Sequence, residues 1–490
     1  MLETQLRMSL IRLTACRLSI LAAALLVAGC SMIPTYERPA APVATDWPAF
    51  GAVVANPASA STVPAAADIE WQSFFSDPQL RSLIDASLRN NRDLRVAVLN
   101  IEQARAQFQI RSADQFPSIG AAISGSRVPA RNSKGDSFIS STYTARLAVT
   151  AYEIDFFGRV ASLKQQALAQ YLATEEGRKT TQIGLISNVA NTYLSLLADE
   201  DLLAITRQTL ATREQSFRLS KLRFDNGVTS ELELRQAESL SEAARVALAQ
   251  QVRQRALNQN ALTLLVGQPL TGELALVLSD GKTLANAPLM RDVPAGLPSD
   301  LLVRRPDIRQ SEQLLLAANA NIGAARAAFF PRISLTANIG SASSHLTDLF
   351  KSGSYGWSVA PQLLLPIFDV GRNTAGLGSA NAGRDIAIAQ YEKSIQNAFK
   401  EVADALAARA TLGEQFRAQQ AQVDAESTRF KLADLRYQNG ISSYLDVLDA
   451  QRSLFAVQQS LVQTRLAQLQ SQITLYKTLG GGWKDPVAVQ

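Results

Sequence analysis

Along most of the chain apolar residues recur every three or four positions, but four short stretches alternate every second residue instead. In the first of these Ile119, Ala121 and Ile123 share one face. In the second, Tyr143, Ala145, Leu147, Val149 and Ala151 oppose Thr142, Thr144, Arg146 and Thr150. The third sets Ile333, Leu335, Ala337 and Ile339 against Arg332, Ser334, Thr336 and Asn338, and the fourth sets Tyr355, Trp357 and Val359 against Ser354, Ser358 and Gln362. These patterns predict strands at about 117–127, 141–152, 331–341 and 354–363, joined in pairs by polar loops at 127–141 and 341–353. Segments of about ten alternating residues suit tilted membrane strands with the apolar face to lipid and the polar face to a lumen. A soluble sheet with one buried face has the same pattern. In lipid, however, four strands cannot close a barrel and an open edge is not tolerated, so a membrane sheet of this size demands an oligomer.

The three-four spacing covers the rest, as in Ile183, Ile186, Ala190, Tyr193 and Leu197. No proline interrupts it between Pro129 and Pro269, or between Pro366 and Pro486. The stretches Gly158 to Phe224 and Gly371 to Arg436 therefore predict two helices each roughly 100 Å long at 1.5 Å per residue. Each stops at an Asn-Gly pair, Asn226-Gly227 or Asn439-Gly440, suited to a left-handed cap. Shorter helical stretches, 228–266 with 301–328 and 443–478 with 79–114, supply return paths of matching length.

The chain also repeats itself at a spacing of about 213 residues, too long for a solenoid unit and consistent with a duplicated half. Arg223-Phe224-Asp225-Asn226-Gly227 matches Arg436-Tyr437-Gln438-Asn439-Gly440, and Phe116-Pro117-Ser118-Ile119 matches Phe330-Pro331-Arg332-Ile333. The expected organisation is a first repeat over 71–300 with a helical hairpin at 158–266, a second over 301–483 with a hairpin at 371–478, and a short tail at 484–490.

The N-terminus changes the compartment. Residues 1–29 join Arg7, Arg12 and Arg17 to an apolar run from Leu18 to Ala28, the pattern of a secretory signal. The run ends in Val27-Ala28-Gly29-Cys30, which resembles the lipobox of bacterial lipoproteins and makes Cys30 the expected acylated N-terminus. Cys16 lies inside the signal, so the mature chain has no internal disulfide available and gains its stability from packing or oligomerisation. Residues 30–70, rich in proline and alanine, read as an extended tether, with folded structure starting near Trp71.

Composition excludes several alternatives. The formal charge of +5 falls to +3 without residues 1–29, which hold three arginines and one glutamate, and no basic run is interleaved with aromatics. A pI near 9.2 is thus poor evidence for nucleic-acid binding. The only histidine, His345, rules out histidine pairs at a metal and makes an enzyme unexpected. No cofactor is expected beyond the covalent lipid on Cys30.

Other short motifs identify a family. Trp71-Gln72-Ser73-Phe74-Phe75 with Asp77-Pro78, Phe156-Phe157-Gly158-Arg159, Arg304-Arg305-Pro306-Asp307-Ile308-Arg309, Tyr444-Leu445-Asp446-Val447-Leu448-Asp449 and the ending Gly480-Gly481-Gly482-Trp483 occur in order. With them, the whole mature length resembles the TolC and OprM group of outer-membrane efflux proteins, the RND-type, NodT-like lipoproteins. The resemblance implies a mainly α fold with membrane β: a trimeric channel-tunnel with a 12-stranded barrel, four strands per protomer, on a long periplasmic helical barrel. It also implies a periplasmic adaptor and an inner-membrane RND transporter as partners, and small amphipathic cargo.

The resemblance further assigns Asp446 and Asp449 to a gate, since three copies would place six carboxylates around one axis and sensitise closure to pH and divalent ions. Without it, both acids need only complement a helix dipole. Leu445 resembles a leucine that narrows the tunnel. Tyr437 matches a latch tyrosine, but Ser442 stands where the latch arginine is expected, so the locking bonds differ. The hairpin tips, Arg223 to Gly227 and Arg436 to Gly440, are the implied adaptor-docking surface. A secretion duct and a pore-less structural lipoprotein remain as rival readings.

Overall fold

A computed structural model of the chain describes residues 31–48, 66–271, 283–288, 290–291, 293–294 and 298–483. Cys30, the signal and the tail at 484–490 lie outside the described residues. Two compact units share the chain. One combines the described part of Met1–Ala40 with Ile101–Thr174 and Ser311–Tyr391, and the other combines Ala41–Asn100, Glu175–Gln310 and Glu392–Gln490. Apart from the one after Ala40, the divisions fall within helices, here numbered α1 (Trp71–Phe74), α2 (Pro78–Asn90), α3 (Arg92–Ala113), α4 (Arg159–Asp225), α5 (Glu231–Val266), α6 (Pro298–Arg304), α7 (Pro306–Ala327), α8 (Arg372–Gln438) and α9 (Tyr444–Thr478).

The first unit holds an antiparallel sheet in the order β1 (Ile119–Arg131), β2 (Ser137–Ile154), β3 (Arg332–Ser343) and β4 (Tyr355–Leu364), leaving β1 and β4 as its edges. The strands of the first pair run longer than the alternation indicated, so their connecting turn shrinks to 132–136, where Asn132 accepts hydrogen bonds from the amides of Lys134 and Asp136, each at 2.9 Å. One face is apolar and bare: Ile123 is 81% exposed and Trp357 71%. The other is polar and internally bonded, with Ser124 to Thr144 at 2.8 Å and Asn338 donating to Ser358 at 2.6 Å.

The alternation expected at Ala151 fails there. A bulge between Val149 and Tyr152 places Ala151 in the left-handed region, φ 50°, with its amide donating to Thr336 Oγ1 at 3.2 Å. The extra residue turns Tyr152 and Ile154 to the apolar face and Glu153 to the polar one, as a one-residue shift must. Glu153 then accepts a two-point ion pair from Arg159, 2.8 and 2.6 Å, and a third contact from Arg332 at 2.7 Å.

The described part of the expected extended tether, residues 31–48, includes a strap. Arg38 grips Glu312 of α7 through two bonds of 2.8 and 2.5 Å, Tyr36 donates to the same carboxylate at 3.1 Å, and Asn319 donates to the Pro34 carbonyl at 2.8 Å. A Cβ at Gly323 would lie 2.6 Å from Ile33, so a glycine is what lets the strap lie against the helix.

In the second unit folded structure begins earlier than expected, with buried Ala66 and Ala67 in a 3-10 turn. The motif residues Phe74 and Phe75 meet Tyr476 in its core: Phe74 stacks on Tyr476 at 3.9 Å, and the Tyr476 hydroxyl donates to the Ile69 carbonyl at 2.6 Å. Asp77 caps α2 through the Gln79 amide (2.9 Å) and accepts from the Tyr193 hydroxyl (2.9 Å). The return stretches 79–114 and 301–328 are each broken once. Asn91 separates α2 from α3, accepting from the Leu94 amide and donating to the Leu265 carbonyl, both at 3.0 Å. Arg305 separates α6 from α7, and its buried guanidinium bonds Asp307, Glu401 and the Thr478 carbonyl.

Candidate functional site: the hairpin tips

Two tips close the long helices of the second unit, and both are built the same way. At the end of α4 the Gly227 amide donates to Phe224 O (2.9 Å) and the Val228 amide to Arg223 O (2.8 Å). At the end of α8 the Gly440 amide donates to Tyr437 O (2.9 Å) and the Ile441 amide to Arg436 O (2.8 Å). Both are Schellman caps, and they place Gly227 and Gly440 at φ 72° and 73°, where a side chain is disfavoured. Asn226 and Asn439 each donate from the side-chain amide to the carbonyl four residues back, at 2.7 Å.

The hairpins meet over a small apolar cluster. Ala237, Tyr444, Val447 and Leu448 are its buried members, with Phe217, Leu240, Phe430, Ala433 and Tyr437 packed around them. Above it Arg223 donates to the Tyr437 hydroxyl and lies 5.1 Å from the centre of its ring, while Tyr437 leans on Tyr444 at 5.0 Å. The pair is 214 residues apart in the chain, and with a serine at position 442 Tyr437 is bonded instead by an arginine of the other hairpin. Arg223 is thus occupied within the tip, whereas Arg436, Gly227 and Gly440 are exposed.

Along the first turns of α9, Tyr444, Val447 and Leu448 face the cluster, so Leu445, Asp446 and Asp449 share the outward side. Leu445 is 53% exposed. The two acids differ in a way the spacing did not reveal. Asp449 is paired with Arg429 of α8, which also contacts Glu426 at 3.1 Å; among the described residues Asp446 has no cation on it. Sequence reasoning missed Arg429, and its position on the preceding helix left no local signal. The pairing is solvent-exposed and adds little stability, so its interest is in charge rather than in fold.

One buried cation sits beside the cluster. Arg213, 5% exposed, donates to the Leu240 carbonyl at 3.2 Å and lies 5.2 Å from the Phe455 ring. Burial pulls its guanidinium below the usual range, and the nearby Arg452 charge adds to this.

The family model described as "Outer membrane efflux protein" matches residues 83–268 and 297–481, two stretches that fall in the two halves of the sequence repeat. The toluene efflux pump outer membrane protein TtgC of Pseudomonas putida is 49% identical over 476 residues, which cover 96% of this chain and 97% of the relative. The outer membrane protein OprJ of Pseudomonas aeruginosa is 45% identical, covering 95% and 96%. Among solved structures, the open state of the Neisseria gonorrhoeae MtrE outer membrane channel superposes with a TM-score of 0.81 at 38% identity, over 93% of this chain and 99% of that one. The solved structure of CusC superposes with a TM-score of 0.79 at 39% identity, over 92% of this chain and 100% of that one. With the family model covering both halves and relatives near half identity over nearly the full length, the chain belongs to the outer membrane efflux protein family.

Proposed function

We propose that three copies of this chain form the exit duct of a tripartite RND-type efflux pump: a 12-stranded barrel in the outer membrane continued by a helical tunnel into the periplasm. The duct is passive, not an enzyme. It is anchored by lipid on Cys30, docks a periplasmic adaptor at Arg223, Gly227, Arg436 and Gly440, and receives small amphipathic compounds from an inner-membrane RND transporter. Antibiotics and toluene-like solvents are the cargo classes to try first, after the names of its relatives.

The observation that carries this reading is the sheet. Its apolar face is bare, and among the described residues its two edge strands have no further partner. The bare apolar face is expensive in water and suited to lipid, while the open edges are intolerable in lipid unless further copies extend the ladder into a closed ring. A pore-less structural lipoprotein has no use for such a sheet. At the tip, Asp446, Asp449, Leu445 and Tyr437 form the gate. Six carboxylates around an axis resist joint ionisation and attract cations, Leu445 narrows the opening, and the Arg223–Tyr437 contact holds the hairpins together.

Planar-bilayer recording of the purified protein tests the duct. Conductance that rises on Asp446→Ala with Asp449→Ala is expected; no conductance from either form counts against it. Susceptibility of a deletion strain to antibiotics and toluene tests the efflux role, and the mass of the mature N-terminus tests the lipid.

A further inference from the structure

We propose that Arg146 sets the ionic preference of the barrel lumen, forming an anion-attracting ring there whose sign is opposite to that of the tip carboxylates. The inference rests on the barrel reading above. Register assigns each ladder residue to a face: Ala122 and Gly340 flank Arg146 on the polar side, with Ser124 beside Thr144 and Asn338 beside Ser358. The ladder residues of that face carry only three ionisable side chains, Arg146, Glu153 and Arg332. Glu153 is taken by Arg159 and Arg332, leaving no free carboxylate there to hold a cation.

Arg146 stands apart from this cluster. Its polar neighbours bond one another, Ser124 to Thr144 and Asn338 to Ser358, while among the described residues no carboxylate pairs with Arg146 itself, which is exposed. Its surroundings are also low. Opposite it, Gly340 sits where β2 and β3 approach so closely that a Cβ would meet Ala145 O at 2.2 Å and Arg146 Cα at 2.5 Å. A long, permanently charged side chain thus rises from a carpet of glycine, alanine, serine and threonine. Repeated around a closed barrel, such groups form a charged ring, the arrangement by which pores select ions, and its reach is set by a Debye length of about 8 Å at physiological salt.

The test is the reversal potential of single channels in a salt gradient, recorded in an Asp446→Ala, Asp449→Ala background so that the tip does not mask the barrel. Arg146→Gln and Arg146→Glu should raise the cation-to-anion permeability ratio in that order, by about two- to threefold for glutamate. To avoid dependence on refolding, Arg146→Cys is modified by a negatively charged, membrane-impermeant thiosulfonate after insertion, which should shift the potential during the recording. Leu147→Cys, on the apolar face, should not react. Reaction at Leu147→Cys but not at Arg146→Cys reverses the faces and overturns the barrel reading. Reaction at Arg146→Cys with an unchanged reversal potential, or no change in either substituted channel, overturns this proposal and leaves the barrel standing.

Discussion

At the level of single residues the two acids proposed for the gate, Asp446 and Asp449, are not equivalent. Arg429 offsets the charge of Asp449, whereas Asp446 has no such partner among the described residues. Divalent-cation block of channel current should therefore weaken strongly in Asp446→Asn, and by no more than about half as much in Asp449→Asn. Equal effects would show that Arg429 leaves Asp449 when the copies assemble. Removing the Tyr437 hydroxyl by Tyr437→Phe deletes its bond from Arg223 but keeps the ring contact; the expected result is a leakier tip in bilayer recordings, with a loss of about 1 kcal/mol in its closure. Elsewhere in the second unit, burial pushes the carboxyls of Asp199 and Asp201 above the usual range despite hydrogen bonds from Asn258 to the first and from Leu284 to the second. A raised folded value favours the folded state at low pH, and that contribution is lost as pH rises through it. Asp199→Asn should consequently gain in melting temperature relative to the parent chain between pH 4 and pH 7, a change that circular dichroism can follow.

At the level of elements, the sequence was most readable where one force acts alone. Proline-free three-four spacing with an Asn-Gly stop marked α4 and α8 to within two residues at each end, because nothing but helix termination decides where they finish. The period-two faces were equally plain. The bulge at Ala151 was not, since it depends on the register β2 adopts against β3, and the break at Asn91 depends on a carbonyl of α5 brought near only in the fold. The break at Arg305 did leave a signal, since Pro306 is suited to the first position of a new helix. Two glycines that look alike in sequence separate sharply by environment. Gly267 and Gly227 are both left-handed, at φ 75° and 72°, but a Cβ on Gly267 would come within 2.4 Å of Asn90 O, while nothing lies within 4 Å of one on Gly227. Gly227→Ala should cost about 1 kcal/mol, and Gly267→Ala clearly more, because α5 and the end of α2 must separate. Thermal melts of the two variants measure the difference.

At the level of the whole molecule, local pattern disclosed the plan and long-range pairing disclosed the fastenings. The Arg223–Tyr437 bond and the clasp of Tyr36 and Arg38 on Glu312 join residues hundreds of positions apart, and no periodicity reports such partners. The clasp makes its own prediction: Glu312→Ala should expose residues 31–48 to limited proteolysis while leaving the helical signal unchanged.

The bare edges of β1 and β4 also impose an order of events on biogenesis. In the proposed duct a lone chain supplies only part of the barrel sheet and has no stable way of entering lipid alone. Entry is then a collective step whose rate climbs with more than the first power of chain concentration. The number of open ducts in a cell would follow the synthesis rate steeply, so that modest induction yields a disproportionate gain in export capacity and slight under-supply leaves almost none.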